Sequence, residues 1–467
     1  MFSSGWRSLI SMSVWLPTVS LHSLVVVLSV LTYILTTRAR RERRPPSIAI
    51  AWVLGMIALP YLVLPMYVLF GRRKLPRKTL PRSGVRSFAG HWAQDLIESF
   101  GLPGSSPAAI NLHQNGRDSA DALFSVMSSA VSRLDICTYI LGDDAFGREV
   151  MQRMVERARC GVDVRLLLDG VGAIQLPRAC FKTLQLGGVE TEIFSPLLAR
   201  RTQGPRNLRN HRKMAIADGA HLWAGGRNLA AEYFLGKAGA PAWRDLTFDL
   251  RGAVAGAAAA QFELDWVAAG GTPATADVAP VAGTASQSAA GEAQFLPSGP
   301  DQTEDTVHAL LIDGCFQARD RMLAVTPYFV PDVSLETAMR LAARRGVRVD
   351  LVIPASSNHR LADFARNRAL RSLSQAGVNV HLMPYMSHAK AVIFDNSLAL
   401  SGSVNLDSRS LLLNYECAVV FYGRTQIDWL AQWIDAQIPE TVPFNGRPPG
   451  LLRDLCEGLL LTVAYQL

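Results

Sequence analysis

The sequence His211-Arg-Lys-Met-Ala-Ile-Ala-Asp218 returns in pattern as His388-Ala-Lys-Ala-Val-Ile-Phe-Asp395. In both stretches a lysine follows the histidine by two positions, and an aspartate follows it by seven. Seventeen positions after each histidine stands an asparagine, Asn228 in one case and Asn405 in the other. Residues i and i+2 of an extended strand share a face, so each histidine and its lysine are expected to point the same way. The repetition predicts that the chain contains two copies of one fold.

Segments that precede the two motifs align in the same order. Three extended segments of the first copy align with three of the second: 134–140 with 322–329, 161–168 with 346–353, and 188–194 with 377–383. A helical stretch neighbours each of these segments. Strands that alternate with helices predict an α/β fold in which helices cover the sheet. The sequence therefore predicts two pseudo-symmetric α/β/α repeats, at residues 90–267 and 294–440.

The segments outside the repeats differ in composition. Residues 268–293 are rich in Ala, Gly, Thr and Ser, and we predict that they form a flexible linker. Residues 441–467 form an apolar C-terminal tail, whose leucines fall close to one helical face. Such a helix either packs against the preceding repeat or lies in a membrane interface.

The overall composition is that of a folded protein. The 467 residues are 49% apolar and 18% charged, which excludes a disordered or collagen-like chain. The six cysteines include no CxxC pair and no Cys/His spacing of the structural-zinc kind. The formal net charge of +8 belongs to the N-terminus, because residues 1–86 contain 13 Lys and Arg and one acidic residue. The remainder is slightly acidic, which argues against a nucleic-acid partner.

Two stretches near the N-terminus, Ser8–Thr37 and Pro45–Gly71, contain no Lys, Arg, Asp or Glu. Each is long enough to cross ~30 Å of hydrocarbon. We predict that they form a transmembrane helical hairpin, with Trp52, Tyr61 and Tyr67 as anchors at the membrane interface. A cleaved signal peptide is the alternative for the first stretch, but no A-x-A-like site precedes the arginines that follow it.

Basic residues flank the second stretch on both sides. Five arginines lie in the hairpin loop (Arg38, Arg40, Arg41, Arg43, Arg44), and seven basic residues follow the hairpin (Arg72, Arg73, Lys74, Arg77, Lys78, Arg82, Arg86). The positive-inside rule favours the more basic side as the cytoplasmic one. We therefore predict that residues 1–75 form a membrane anchor and that the large C-terminal part faces the cytoplasm. The second cluster is also suited to bind anionic lipid headgroups.

The repeated side chains define a candidate catalytic site. Its members are two histidines, two lysines and two asparagines: His211, Lys213, Asn228, His388, Lys390 and Asn405. A pocket of this kind is cationic and rich in hydrogen-bond donors, which suits a phosphate diester. No cluster of Asp and Glu accompanies these residues, so neither a metal ion nor another cofactor is expected. One imidazole can attack phosphorus while the other protonates the leaving oxygen, and pseudo-symmetry leaves the assignment open.

A nucleophilic imidazole needs a hydrogen-bond acceptor on its other nitrogen. Each repeat has a carboxylate seven residues before the glycine that ends its terminal strand, Asp245 in the first and Glu416 in the second. This shared offset selects Asp245 over Asp249. We predict that each carboxylate binds the histidine of its own repeat, Asp245 with His211 and Glu416 with His388.

The aspartates that end the two motifs, Asp218 and Asp395, remain candidate site residues because they belong to the repeated pattern. Each closes a strand before a turn, where Asp side chains commonly bind nearby backbone N–H groups. We therefore interpret them as structural. The other histidines, among them His221 and His359, have no partner at matched spacing and are interpreted as ordinary surface or core residues.

The duplicated pattern H-x-K-x-x-x-x-D resembles that of the phospholipase D superfamily, through both repeats. Neighbouring segments narrow the resemblance to bacterial cardiolipin synthases: Trp243–Asp245, Thr326–Asp332, Asn405–Leu411 and Asn414–Glu416. The resemblance implies two phospholipase D-like repeats that share one active site. Residues 225–234 depart toward a sub-branch whose donor lipid differs.

The resemblance also implies a reaction and a location. A phosphatidyl group would pass from one phospholipid, expected to be phosphatidylglycerol, to phosphatidylglycerol through a phosphohistidine, and glycerol would be released. It implies His211 as the nucleophile and His388 as general acid and then base. Phospholipids and the bilayer are the implied partners, and a multi-pass protein of the bacterial inner membrane is the implied location.

Two other functions compete with this one. A membrane-anchored hydrolase of phospholipids or nucleic acid would use the same residues, and a scaffold would use none of them. The intact motifs argue against a scaffold, while the anchor and the slightly acidic remainder argue against a nuclease. Transfer and hydrolysis differ in whether water is kept from the phosphohistidine, and here only the resemblance favours transfer.

Overall fold

The apolar N-terminal stretches fold into helices, as predicted. The computed structural model describes residues 6–40, 46–71, 74, 90–196, 207–237, 239–274 and 291–461. The chain divides into two units, and residues 1–76 belong to the first, while residues 77–204 and 208–467 belong to the second. The helices of the first unit are α1 (Trp6–Arg40), α2 (Pro46–Ala58) and α3 (Pro60–Phe70).

The second predicted span is not one continuous helix. It ends at Ala58 and resumes at Pro60, because proline has no N–H to donate and its ring obstructs the preceding turn. Within the described residues, only Leu21–Arg38 lies in a helix long and apolar enough to cross a membrane. The hairpin of two full spans therefore remains a prediction.

Contacts among the three N-terminal helices involve aromatic side chains. Tyr33 and Tyr67 are buried, and Thr36 Oγ1 lies 2.7 Å from the Tyr67 hydroxyl. The ring of Trp52 lies 5.2 Å from that of Tyr67. Of the three predicted interface anchors only Tyr61 is largely exposed, since the other two pack between helices. Most of the predicted basic clusters lie outside the described residues.

The second unit is built on one large sheet. In the first repeat its strands are β1 (Ser106–His113), β2 (Arg133–Thr138), β3 (Asp163–Asp169), β4 (Glu190–Phe194), β5 (Met214–Ala217), β6 (His221–Gly225) and β7 (Thr247–Gly252). In the second repeat they are β8 (Gly291–Ser298), β9 (Arg321–Val325), β11 (Arg348–Pro354), β12 (Asn379–Met383), β13 (Ala391–Phe394), β14 (Leu398–Gly402), β16 (Glu416–Phe421) and β17 (Val442–Pro443). Two further short strands, β10 (Phe329–Val330) and β15 (Leu406–Asp407), pair with each other in a separate parallel sheet.

Helices cover the sheet in both repeats. The first series is α4 (Trp92–Ser99), α5 (Gly116–Ser129), α6 (Ala145–Arg159), α7 (Gly170–Gln175), α8 (Arg178–Leu186), α9 (Ala231–Phe234) and α10 (Ala253–Ala269). The second is α11 (Thr306–Gln317), α12 (Val333–Arg344), α13 (Arg360–Gln375), α14 (Ser408–Leu412), α15 (Arg424–Asp435), a 3₁₀ turn (Ile438–Glu440) and α16 (Leu451–Leu461).

The strand order shows the duplication directly. The sheet runs β17-β12-β11-β9-β13-β14-β16-β8-β1-β7-β6-β5-β2-β3-β4. Read outward from the pair β8–β1, the two halves have the same order of equivalent strands, apart from β17 at one edge. At the centre β1 and β8 pair antiparallel, with Ser106 opposite Ala293. One continuous sheet therefore passes through both repeats. A pseudo-twofold axis relates the two repeats at the β1–β8 pair, which we call the seam.

The repeats have separate hydrophobic cores. Helix α4 lies within the predicted first repeat, yet its Ala93 and Ile97 pack into the core of the second. The predicted linker is shorter at both ends than expected, because α10 continues to Ala269 and β8 begins at Gly291. The predicted tail begins with β17, which pairs with β12. The exact bounds of the repeats remain a prediction.

Candidate active site

The two histidines of the repeated motif occupy equivalent positions in the sheet. Each stands three residues before a central strand, His211 before β5 and His388 before β13. Burial lowers the pKa of both histidines. The lysine of the opposite repeat adds a smaller lowering, Lys390 for His211 and Lys213 for His388, so the two half-sites lie within electrostatic reach of each other. The structure thus brings the two motifs together at the seam.

Each histidine binds a carboxylate of the opposite repeat. His211 Nδ1 lies 2.9 Å from Glu416 Oε1, and His388 Nδ1 lies 2.8 Å from Asp245 Oδ2. The carboxylates chosen from the sequence are confirmed as the imidazole partners. The predicted pairing within each repeat is wrong, because Glu416 and Asp245 begin or precede the terminal strands that lie beside the seam.

The backbone of each histidine is also bonded to the opposite repeat. The N–H of His211 donates to the carbonyl of Tyr415 at 2.8 Å, and the N–H of His388 donates to the carbonyl of Arg244 at 2.7 Å. In each case the acceptor directly precedes the orienting carboxylate. Two bonds from the opposite repeat therefore fix the position of each histidine and the orientation of its ring.

The two carboxylates are held differently. Ser403 Oγ donates to Glu416 Oε2, whereas the position equivalent to Ser403 is Gly226 in the first repeat. A Cβ atom at Gly226 would lie 2.2 Å from Asp245 Oδ1, so glycine makes room for the shorter carboxylate side chain. Asp245 Oδ1 accepts instead from the N–H of Leu246 at 2.7 Å. Ser403 was not predicted from the sequence, although it directly follows the motif residue Gly402.

The lysines lie buried beside the histidines. Lys213 Nζ donates to the His211 carbonyl at 2.7 Å, and Lys390 Nζ lies 3.0 Å from His388 Nε2. Burial lowers the pKa of Lys213 to about 8 and that of Lys390 to about 7. A lysine amine with such a lowered pKa readily takes up a proton when an anion binds beside it, which suits a phosphate ligand.

Burial also decides the charge of the imidazoles. It lowers the pKa of His211, and it lowers the pKa of His388 to about 3 with a further contribution from Lys390. Both rings are therefore neutral near pH 7, the state in which an imidazole nitrogen can attack. Burial opposes ionisation of Asp245 and Glu416, but the neighbouring lysines and histidines outweigh it, so that both carboxyl pKa values lie below their usual range.

The motif asparagines are buried in the same region. Asn228 Nδ2 donates to the Tyr233 hydroxyl at 2.8 Å, and Asn405 Nδ2 donates to Ser410 Oγ at 3.2 Å. In the described part of the chain, the amide oxygen of each makes no hydrogen bond. A buried polar atom of this kind is expected to find a partner, so a ligand can supply it.

The two motif aspartates do not join this site. Asp218 accepts the N–H groups of residues 131–133, and Asp395 accepts those of residues 319–321, at 2.7 to 3.0 Å. Both have a positive φ, 52° and 50°, in the turn that follows β5 or β13. They tie that turn to the start of the neighbouring strand. These bonds agree with the structural interpretation, and any catalytic role of the two aspartates stays a prediction.

Aromatic rings surround the second histidine more fully than the first. The rings of Tyr233, Trp243 and Tyr328 lie 5.0, 5.9 and 6.3 Å from that of His388. The side chain of His388 is 3% exposed, compared with 13% for that of His211. Trp243 lies in a segment that carries the family resemblance, but the sequence did not predict that its ring or that of Tyr233 lies beside His388, because an aromatic residue alone gives no signal of a site.

The remaining histidines have structural roles. His221 and His113 both bind Asp249, at 3.1 and 2.6 Å, which explains why Asp249 is not the orienting carboxylate. The His359 ring caps the start of α13. Among the described residues, no group of three or more His, Cys, Asp or Glu side chains has a metal-binding arrangement.

A continuous two-repeat sheet and crossed histidine–carboxylate pairs define a protein of the phospholipase D superfamily. A family model described as cardiolipin synthase, PLD-like domain matches residues 123–239 and 311–438, once in each repeat. Cardiolipin synthase A of Pseudomonas aeruginosa is 30% identical over 454 residues, which cover 92% of each protein. The chain belongs to the cardiolipin synthase family.

Two further comparisons agree with this assignment. Major cardiolipin synthase ClsA of Bacillus subtilis is 29% identical over 441 residues, 87% of this chain and 89% of that protein. The crystal structure of phosphatidylserine synthase from Haemophilus influenzae covers 80% of this chain and 99% of its own, with a TM-score of 0.61. At 14% identity this last likeness concerns the fold alone.

Proposed function

We propose that the protein is a cardiolipin synthase, a phosphatidyltransferase that joins the phosphatidyl group of one phospholipid to phosphatidylglycerol. The observation that carries this proposal is the pair of complete half-sites, each with histidine, lysine, asparagine and a crossed carboxylate, in a chain of this family. Phosphatidylglycerol is the proposed donor as well as the acceptor, so that glycerol is the product released.

In the first step, the Nε2 lone pair of His211 attacks phosphorus of the donor. A P–N bond forms as the P–O bond to the departing glycerol breaks, and His388 gives that oxygen a proton. Glu416 accepts the Nδ1–H of His211, which leaves Nε2 free to attack and stabilises the positive charge that forms. Lys213 and Lys390 neutralise the phosphate charge as it passes through the transition state.

In the second step, the roles reverse. His388, now without its proton, accepts the hydroxyl proton of phosphatidylglycerol, and that oxygen attacks phosphorus and displaces His211. Asp245 holds the His388 ring through Nδ1, so that the same Nε2 serves as acid and then as base. In its free form His388 is neutral, so the proton that it gives in the first step is taken up when the negatively charged diester binds beside it and favours the imidazolium.

Hydrolysis is the competing outcome, because water can replace the acceptor in the second step. The low exposure of both histidines and the aromatic rings around His388 favour transfer, since they restrict the access of water to the phosphohistidine. The N-terminal apolar helices support a location in the bacterial inner membrane. We further propose that the chain crosses it more than once and that the catalytic unit lies on the cytoplasmic side.

The lipid profile of a host that lacks its own cardiolipin tests this function. Expression of the protein should restore cardiolipin, and the His211→Ala and His388→Ala variants should not. With purified protein and phosphatidylglycerol labelled in its terminal glycerol, we expect free glycerol and cardiolipin in equal amounts. Phosphatidic acid as the main product would instead identify a hydrolase.

A trapping experiment separates the two histidines. His388→Ala should still accumulate a phosphatidyl-enzyme from a donor with an activated leaving group, because such a group needs no proton. His211→Ala should accumulate none. The opposite result would exchange the two roles, and trapping in neither variant would favour direct displacement by the acceptor.

A further inference from the structure

Helix α16 packs with its charge inward and its leucines outward. On the side that meets α13, the carboxylate of Glu457 is buried and accepts hydrogen bonds from Arg371 and from Arg453, the latter at 3.0 Å. The three leucines on the other side are largely exposed: Leu451 78%, Leu452 77% and Leu455 62%.

This arrangement is unfavourable in water. A carboxylate loses hydration when it is buried, whereas exposed leucines gain nothing from the solvent. Three neighbouring apolar side chains with a polar surround mark a surface that meets something apolar. The helix has the form of an interfacial helix, which lies in the plane of the membrane with its apolar face down.

The charges around the helix select a lipid surface over a protein partner. Three exposed arginines, Arg360, Arg368 and Arg447, belong to α13 or to the segment before α16, whereas Arg453 of α16 is paired with Glu457. Asp454, an acidic residue of α16, lies 3.6 Å from Arg371 and is offset by it. A positive rim around an apolar patch is complementary to anionic headgroups above hydrocarbon.

Contacts through α13 connect helix α16 to the surroundings of His388. Arg453 sits over the ring of Phe364 at 5.9 Å, and Glu457 binds Arg371, so the first residues of α16 lie toward the first residues of α13. Leu361 is 53% exposed there. The loop just before α13 contacts Tyr328, whose ring lies 6.1 Å from that of His359 and 6.3 Å from that of His388.

We propose that Leu361, Leu451, Leu452 and Leu455 form a membrane-docking face of the catalytic unit. Its leucines enter the interfacial region of the bilayer, and its arginines bind headgroup phosphates. The contact holds the entrance beside Tyr328 at the level of the headgroups, where a lipid can present its phosphate without leaving the membrane. It is separate from the N-terminal apolar helices and does not depend on the reaction proposed above.

A fluorescent label on Cys456 tests this proposal in the full-length protein. Cys456 is exposed and lies within α16, and Cys160 is the other exposed cysteine among the described residues. The variant Cys160→Ala/Cys180→Ala directs an environment-sensitive dye to Cys456, and Cys180→Ala/Cys456→Ala directs it to Cys160 as the matched control. Both are reconstituted in nanodiscs of phosphatidylethanolamine and phosphatidylglycerol, with and without nitroxide-labelled lipid.

We expect nitroxide lipid to remove most of the emission at Cys456 and little at Cys160. Replacing Leu451, Leu452 and Leu455 by serine should restore the emission at Cys456 without lowering the melting temperature, since all three residues are largely exposed. Quenching of the Cys456 dye by aqueous iodide rather than by lipid would overturn the proposal. So would protection from both quenchers, which would mean that a second copy or the end of this chain covers the leucines.

Discussion

At the scale of single residues, the crossed bonds make each half-site a joint product of both repeats. A phosphohistidine forms on one imidazole only if the other nitrogen of that ring is held by its carboxylate. Because that carboxylate comes from the opposite repeat, a change in the second repeat can disable the histidine of the first. The effects of the two carboxylates can be distinguished by measuring formation of the phosphatidyl-enzyme and full turnover separately.

We predict that Glu416→Gln strongly slows formation of the phosphatidyl-enzyme, because it leaves His211 in the wrong tautomer. Asp245→Asn should still allow accumulation from an activated donor while full turnover falls. Loss of an orienting carboxylate costs as much as ~10⁴ in rate. Rapid quenching with radiolabelled donor measures both the amount of phosphatidyl-enzyme and the rate of turnover. Asp249→Asn is the control with near-normal turnover, and normal trapping in Glu416→Gln would contradict the assignment.

The buried lysines predict a proton uptake on binding. In the free protein the pKa of Lys390 is about 7 and that of Lys213 about 8, so at pH 8.5 both are largely neutral. A bound phosphate diester favours their charged forms and raises both pKa values, so binding should take up protons above pH 7 and weaken as pH rises. Well below pH 7 both lysines are already charged, so their contribution to the uptake should vanish.

Calorimetry with short-chain phosphatidylglycerol, in buffers of different ionisation enthalpy, measures this uptake. Lys390→Met should remove the part that appears near pH 7 and leave the part due to Lys213. Binding that releases protons across this range would show that the lysines do not face the phosphate.

The residues of the site were predictable from sequence, but their pairing was not. Two identical spacings identified His211 and His388, and the common offset to a glycine identified Asp245 and Glu416. Which histidine a carboxylate meets depends on how the repeats join at β1 and β8. Residues on the two sides of that join are far apart in the chain, so no local pattern encodes it.

At the scale of elements, the motif aspartates illustrate how one pattern can combine chemistry with architecture. Asp218 and Asp395 stand in the same sequence pattern as the histidines, but they close the turn at the far end of β5 or β13. Their carboxylates gather three N–H groups each from the neighbouring strand. Such bonds fix where the strand begins, and so hold the histidine at its other end.

We predict that Asp395→Ala lowers stability without a specific loss of catalysis. Losing hydrogen bonds to a charged acceptor at an exposed turn should cost about 1–2 kcal/mol in the free energy of unfolding. The melting temperature of the detergent-solubilised protein should fall by about 2–4 °C. Asp395→Asn should recover part of the loss, because Asn tolerates a positive φ and keeps one acceptor. Inactivity well below the melting temperature would instead make Asp395 catalytic.

The continuity of the second N-terminal helix was the feature predicted least well from the sequence. The length and apolar character of residues 48–70 indicated a single span, but Pro60 divides it into α2 and α3. Proline inside an apolar run can kink a helix or end it, and the choice depends on which neighbours can bond the freed carbonyl groups. The strands of the repeats were easier to predict from the sequence, because their periodic patterns occur twice.

At the scale of the whole molecule, the protein combines an apolar N-terminal unit with a catalytic unit that has its own lipid-facing helix. We predict that carbonate washing leaves the protein in the membrane pellet, because α1 is long and apolar enough to span it. Removal of residues 1–75 should release a large fraction to the supernatant. Recovery of most of the intact protein in the soluble fraction would remove the N-terminal anchor from this account.

Turnover should also persist in excess chelator. The two lysines supply the positive charge, and the two histidines carry the proton transfers, that a divalent ion and its water would otherwise provide. Cardiolipin formation from phosphatidylglycerol in detergent micelles measures this. Activity that is lost in chelator and restored by Mg²⁺ or Zn²⁺ would mean that the site works differently.

The antiparallel pairing of β1 with β8 has a consequence for the origin of the chain. Equivalent strands meet at the seam, and each half lends its carboxylate to the other, so a single repeat on its own would be chemically incomplete. An ancestor of half this length would have needed a second copy of itself. A single chain that carries both copies lets each half diverge, as Ser403 and Gly226 differ here, and so lets the two histidines take different roles.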